Sequence, residues 1–433
     1  MHSTILTARS QKLFVDGVSI ANLAATYGTP TYVYSARRIQ DNFNRVRKAF
    51  TAVYPNLAIH YAIKACNTLP IAKLLVDLGS GIDAASPNEI RLAQLLGVQP
   101  SLITFTGNNL SDEELQFAVD SGVIINLDDD SYIDRFLRIT RLRLISFRIN
   151  PGLLFADYAT NPIGPFTGPQ AKFGVSHDRV SYAYGQAKRA GVRRAGAHMM
   201  PHSNERDFLR FHEVTSRFLD ILLPAIVEHE MALDFIDLGG GLGIPYQHDE
   251  DPLDLDRMAS GVATTIADKC SYYGVPLPKL ILEPARYFVG DAGVLIGRVH
   301  GMKETEARTI IGTDISMNVF PRPALYGAQH RVHVNGRHGD ESSSYGICGQ
   351  VCENADLWAK SVELPRSTSV GDLLVIEDVG AYGFAMSYEY NGRLRPCEVL
   401  VRDGHHELVR RREVLADTLT TTVWAAPPST VSD

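Results

Sequence analysis

Cysteine is scarce: five residues in 433, an odd number that cannot all pair. Cys66, Cys270, Cys348, Cys352 and Cys397 are therefore no disulfide framework, and the composition predicts a reducing cytoplasm. Basic residues are not in excess either. Lys and Arg total 42 against 49 Asp and Glu, a net charge of −7, which leaves no footprint for nucleic acid or for an anionic membrane surface. No run approaches the roughly 20 apolar residues that a membrane-spanning helix needs. The opening MHSTILTARS lacks the basic-then-apolar pattern of a secretory leader. Low complexity is confined to APPSTVSD at 426–433, expected to be a mobile tail.

What the chain does contain is 45% apolar residues, 21% charged residues and length enough for two or three domains. Strand-like runs alternate with helix-like ones. HYAIK (60–64), GIDAAS (81–86), LITFTG (102–107), VIINLD (123–128), LISFRIN (144–150), GAHMM (196–200), FIDLGGG (235–241) and LILEPAR (280–286) read as strands. LPIAKLLVDLG, PNEIRLAQLLG, SDEELQFAVDSG and SRFLDILLPAIVEHEM, which lie between them, read as helices. Eight strands separated by helices predict an α/β fold, a TIM-like (β/α)8 barrel, over 31–290. An open doubly wound sheet should show GxGxxG after its first strand, and KACNTL is nothing like it. Past residue 290 the segments become short and β-like, and CEVLVRDGHHELVRRRE carries Asp-Gly between two alternating runs, a hairpin signal. We expect an all-β domain, sandwich or barrel, over 291–425, joined by strands from residues 1–30.

In "LAIHYAIKACN" (57–67), Leu57, Ile59, Tyr61 and Ile63 share one face, while Ala58, His60, Ala62 and Lys64 share the other. An amine is thus aimed along the emptier face of a buried strand. In a β/α barrel the strand ends form the functional face. Lys64, Asp83 with Ser86, Asn108, Arg148 with Asn150, His198 with Met200, Gly239–Gly241, and Glu283 with Arg286 all lie at strand ends. Any one of them has a plain solvation explanation; their accumulation over most of the strands points to a site. DLGGGLG (237–243) is either a tight turn or a loop whose bare N–H groups close on a phosphate, and its place after the seventh strand favours the latter. A lysine and a phosphate site at one barrel mouth suggest pyridoxal 5'-phosphate (PLP) held as a Schiff base, with Glu283 as the acidic partner of the pyridine nitrogen.

Taken in order, HYAIKACN, GIDAASPNE, FRINPG, KFGV, DLGGGLG, EPAR, RPALYG, CEN and GAYGFAMSYEYN make the chain resemble the fold-type III, alanine racemase-like PLP-dependent decarboxylases, most closely the diaminopimelate decarboxylases. The resemblance covers all but the last few residues. It implies that Lys64 carries the cofactor, that Glu283 meets its ring nitrogen, and that Gly239, Gly240, Gly241, Arg286 and Tyr382 serve its phosphate. Asp83, Arg148, Met200 and Ser203 would complete the cofactor site, and His198 would join Lys64, Glu283 and Cys352 in catalysis. CGQVC has no further Cys pair or His to complete a metal site, and none is predicted. In this family the cysteine at the Cys352 position comes from the neighbouring subunit and reprotonates the carbanion, which implies a homodimer with shared sites. Arg286, Arg322, Tyr326, Glu353 and Tyr382 match the substrate-binding set, and two guanidiniums with a phenol suit a distal carboxylate.

The implied activity is decarboxylation of meso-diaminopimelate to L-lysine and CO2, a step of lysine biosynthesis. One loop departs from the family pattern. HxHxGS reads here as AHMMPHSNERD (197–207), so Met200 takes the place of the histidine that stacks on the ring and His202 that of a glycine. That leaves open a related substrate such as D-ornithine, D-lysine or an intermediate of siderophore or natural-product synthesis. More remote readings are an alanine-racemase-type isomerase, which should have a basic group in place of Glu283, and an inactive antizyme-inhibitor-like binding protein.

Overall fold

The computed structural model describes residues 5–9, 11–140, 143–153, 166–337 and 341–423. The expected mobile tail at 426–433 lies outside them. Eight parallel strands close into a barrel: Leu57–Ala62, Gly81–Ala84, Ile103–Phe105, Ile124–Leu127, Leu144–Asn150, Arg194–His198, Ala232–Asp237 and Lys279–Leu282. Closure is explicit in the pairing. Lys279–Leu282 pairs with Leu57–Ala62, and Leu144–Asn150 pairs with both Ile124–Leu127 and Arg194–His198. All eight sequence-predicted strands are there, and they close on each other instead of forming an open parallel sheet.

Alternation explains why these segments are strands. Outward side chains such as Ile59, Tyr61, Phe147 and Ile149 are buried under the helices. The inward ones are polar and bonded to each other: Ser146 Oγ donates to Asn126 Oδ1 at 2.6 Å, and Asn126 Nδ2 donates to Thr106 Oγ1 at 3.0 Å. The helix Ala36–Thr51 shows the complementary 3.6-residue period. Ile39, Phe43, Val46 and Phe50 are all buried, and Ser35 Oγ caps the start by accepting from Arg38 N at 3.0 Å. Full burial of such side chains is worth about 1.5–3 kcal/mol each. Among the described residues no helix is long and apolar enough to cross a membrane.

The second sheet runs in the order Ala359–Pro365, Ser342–Cys348, Thr309–Thr313, Gly293–Glu304, Thr31–Ser35, Cys397–Arg402 and His405–Arg410, with Leu373–Ile376 paired to Gly293–Glu304 and Val332–Val334 paired in turn to Leu373–Ile376. The predicted Asp-Gly hairpin joins its last two strands, with Asp403 at φ +51° and Gly404 at φ +77°. Two details differ from the expected division of the chain. Thr31–Ser35, placed by sequence within the 31–290 barrel span, lies in the second sheet between Gly293–Glu304 and Cys397–Arg402. The strands within residues 1–30 form their own three-stranded sheet (Leu6–Arg9, Lys12–Val15, Val18–Ser19) instead of extending the larger one. Its apolar face, with Leu13, Val15 and Val18, packs on Val33, Val294, Val375 and Val399.

The second sheet also roofs the barrel. Tyr382 N donates to Ala65 O at 2.7 Å, tying the loop after Leu373–Ile376 to the turn that bears Lys64. Tyr382 adopts φ +57°, and this bond helps hold an otherwise disfavoured conformation.

Candidate active site

The strand ends and the roof enclose a cavity of about 650 Å³. Lys64, Asp83, Arg148, His198, Met200, Ser203, Gly240, Gly241, Glu283, Arg286, Arg322, Tyr326 and Tyr382 all line it. Five predicted residues do not, among them Asn150, whose side-chain amide is spent on Gly168. Gly239 makes the turn behind the wall, its N–H donating to Asp237 Oδ1 at 2.9 Å. Cys352 and Glu353 lie on the exposed surface of the second sheet, bonded to Asn391 and Tyr390. Ser86 is spent on the fold, capping the helix Pro87–Leu95.

Lys64 sits in a short 3-10 turn, Ile63–Ala65, just past its strand. Its ammonium is ion-paired with Asp83. The lysine side chain is 42% exposed to the open cavity and the aspartate only 2%, so solvent reaches the amine from one side only. Burial works against the lysine charge, but Asp83, Tyr382 and Glu283 outweigh it and raise the pKa above the ordinary lysine value. Asp83 is pushed up to about 7, first by burial and then by Glu283, against the pull of Lys64. Between the two, the proton therefore rests on the Lys64 nitrogen, with Asp83 as its counter-ion.

Glu283 ends the eighth strand in a network that sequence reading did not foresee. Thr104 Oγ1 donates to Glu283 Oε1 at 2.8 Å, and His60 Nδ1 lies 3.3 Å from that hydroxyl. With the threonine proton committed to the glutamate, the His60 contact is Nδ1–H to Thr104 oxygen. On the other oxygen, His198 Nε2 approaches Glu283 Oε2 at 3.2 Å. Asp237 completes the group, with single ligand-type atoms of His198, Asp237 and Glu283 all within 4.8 Å of one another. Burial resists charge on Glu283, yet His198, Lys64 and Asp237 hold its carboxyl below the usual range. Burial, and next the Glu283 charge, drive Asp237 well above it. The pair thus keeps its proton on Asp237 and its charge on Glu283. The only hint in sequence was parity: His60 and Thr104 fall on the inward faces of their strands.

Close packing requires the glycines at 239–241. A Cβ on Gly240 would lie 2.5 Å from Glu283 O, and one on Gly239 2.3 Å from Met199 O. Gly240 N donates only to the weak acceptor Met200 Sδ, at 3.3 Å, so a better acceptor could displace it. Beside the loop, Arg286 donates to Ser203 Oγ at 3.3 Å and to Tyr246 OH at 2.5 Å, with its guanidinium carbon 5.0 Å from the Tyr382 ring centre. Glycine N–H groups, a serine and an arginine at one end, and a lysine and a charged carboxylate deeper in, form a donor set that fits the phosphate, aldehyde and pyridine nitrogen of PLP.

His202 does not enter the cavity despite its place in the loop. It is 1% exposed, turned behind the glycines with its ring edge-on to Phe211 at 4.4 Å, and neither ring nitrogen has a partner among the described residues. Burial pushes its pKa down to about 3. An unfolded histidine, titrating near 6.5, binds a proton that the folded one refuses, so stability falls with acid through that window and is intact above it. His202→Leu is expected to flatten the loss of melting temperature between pH 6.5 and about 4; parallel melting curves for variant and wild type would count against this role of His202.

Residues 36–290 match the family described as pyridoxal-dependent decarboxylase, pyridoxal binding domain. Over 409 residues the chain is 42% identical to the diaminopimelate decarboxylase of Methanothermobacter thermautotrophicus, covering 94% of each. It is 34% identical to protein TabA of Pseudomonas amygdali pv. tabaci over 396 residues, 91% of each. The crystal structure of diaminopimelate decarboxylase from M. jannaschii in co-complex with L-lysine superposes with a TM-score of 0.88 at 31% identity, over 97% of this chain and 98% of that one. The lysine, the glycine loop and the charged glutamate thus sit in a barrel whose sequence kinship points the same way: the chain belongs to the pyridoxal-dependent decarboxylases.

Proposed function

We propose that the chain decarboxylates an amino acid whose far end carries a carboxylate, converting meso-diaminopimelate to L-lysine and CO2. One observation carries this reading. Arg286 and Arg322 meet around Tyr246, their guanidinium carbons 5.9 and 5.4 Å from its ring centre, and among the described residues no carboxylate pairs with either. Arg322 is only 6% exposed, and burial lowers its pKa, as does Arg286 against the pull of Tyr246. A buried cation without an anion is costly, and the cofactor's phosphate and the substrate's distal carboxylate would supply the two missing charges.

The residues divide the work. Lys64 would hold PLP through its aldehyde, Glu283 through its pyridine nitrogen, and Gly240, Gly241, Ser203, Arg286 and Tyr382 through its phosphate. When bound, PLP supplies an electron sink for the pair left behind as the α-carboxylate departs. Asp83 holds the Lys64 ammonium in place, and the amine becomes nucleophilic once that proton leaves through its open, solvent-facing side. The Glu283 charge would favour a proton on the pyridine nitrogen of a bound cofactor, and His198 Nε2, 3.2 Å from Glu283 Oε2, steadies that charge. Tyr326 and Arg322 fix the far end of the substrate. In the isolated chain Cys352 Sγ accepts from Asn391 Nδ2 at 3.2 Å, outside the cavity. We assign Cys352 and Glu353 to the cavity of a second copy, so that the working form is a homodimer and the thiol returns the proton. The five free cysteines suit a cytoplasmic setting.

Met200, which faces the cavity in place of an aromatic ring, favours one second reading: a related diamino acid of other chirality, or a natural-product intermediate. Release of CO2 from a panel of diamino acids in both enantiomers, with lysine formation followed, separates the two. Lysine from meso-diaminopimelate is the expected result. Isomerisation without CO2 from any member would refute the decarboxylase reading.

A further inference from the structure

We propose that His330 is a positioning residue that aims Arg322 at the far carboxylate of the substrate; the inference rests on the reading just given and deepens it. His330 does not belong to the cavity wall. It lies one layer behind Arg322, on the chain that returns after the short helix Arg322–Tyr326 and the left-handed Gly327. Arg322 Nε is 3.4 Å from His330 Nε2, and His330 Nδ1 is 2.9 Å from Glu377 O. A guanidinium only donates and a carbonyl only accepts, so the two contacts fix the imidazole as the neutral Nδ1–H form, with the Nε2 lone pair directed at Arg322. The ring is wedged edge-on between Tyr246 and Phe320, both at 4.9 Å. Its carbonyl partner is equally fixed: Glu377 N donates to Arg331 O at 3.0 Å, and the Glu377 carboxylate accepts from His333 at 2.6 Å.

The chemical point lies in the neutrality. Arg322 has to be held in one orientation, because a mobile guanidinium gives up conformational freedom on each binding event. A carboxylate behind it would hold it equally well but would cancel the charge the substrate is to meet. A neutral imidazole locked by a carbonyl orients the cation and leaves its charge unspent. Arg286 is treated alike, braced by the hydroxyls of Tyr246 and Ser203 rather than by an acid.

The test compares PLP-loaded wild type with three variants, titrating binding of L-lysine, which keeps the far carboxylate of diaminopimelate, and of 1,5-diaminopentane, which lacks it, through the cofactor absorbance. His330→Phe keeps the ring contacts and loses the acceptor; it is expected to weaken L-lysine relative to 1,5-diaminopentane about tenfold, with KM for diaminopimelate rising more than kcat falls. His330→Gln, whose amide can accept from Arg322 and donate to Glu377 O, is expected to recover most of that loss. If the Phe variant does not fold, His330→Leu carries the same expectation as Phe. Equal weakening of both ligands, or a Gln variant as impaired as Phe, overturns the inference. Arg322→Gln marks where a failure lies. If it shifts the ratio and His330→Phe does not, the positioning role alone is wrong; if it leaves the ratio unmoved, the far-carboxylate reading falls and takes the inference with it.

Discussion

Lys64→Ala, purified with PLP, is expected to release CO2 from diaminopimelate on the order of 10³-fold or more slowly than wild type, and borohydride should fix no cofactor on the 57–67 peptide. The fold should survive. Asp83 loses the partner that now neutralises it, but burial and Glu283 already raise its pKa to about 7, so it can take up a proton and remain buried as a neutral acid. Lys64→Arg should be no better than alanine despite keeping the charge, because a guanidinium cannot shed its proton at any working pH. The measurements are absorbance of the bound cofactor, reductive labelling with peptide mapping, and CO2 release. Labelling that moves to another lysine with activity retained would mean that the amine at 64 is not the attachment point.

Local pattern made the barrel legible. Each strand announces itself by alternation within four to seven residues, and the glycine run after FIDL marks the seventh strand end without reference to any other part of the chain. Pairing between distant segments was not legible. Thr31–Ser35 reads as the start of the barrel because it immediately precedes the helix Ala36–Thr51, yet it finds its partners at Gly293–Glu304 and Cys397–Arg402, more than 250 residues away. At the site, residues that point into the cavity from strand ends could be named from sequence. Those that act through a second residue could not: Thr104 behind Glu283 and His330 behind Arg322 carry no signature of their own, and their roles appear only when side chains from different elements meet. Position in a motif also misleads about direction. His202 sits two residues beyond Met200, but its ring turns away from the cavity, where the Cβ of any residue at 241 would come within 2.4 Å of it.

Mixing two inactive variants should restore activity. Cys352→Ser removes the proposed proton donor, and such a loss is expected to slow turnover on the order of 10²-fold or more. If the thiol serves the cavity of a second copy, one complete site forms when a Cys352→Ser chain, which brings Lys64, pairs with a Lys64→Ala chain, which brings Cys352. Random re-pairing makes about half of the dimers mixed, each with one complete site of two, so about a quarter of wild-type activity should return. The single-chain geometry supports this arrangement. The residue is exposed, is anchored through Asn391 on the second sheet, and has no place on the cavity wall beside Lys64. A thiol serving its own chain would give no recovery on mixing, because each variant would carry its defect into every site it forms. Mass measurement of the re-paired sample distinguishes that outcome from a failure to exchange. Recovery scaling with the mixed-dimer fraction would establish the shared site, whereas exchange without recovery would return the search for the proton donor to groups inside the cavity, such as Lys64.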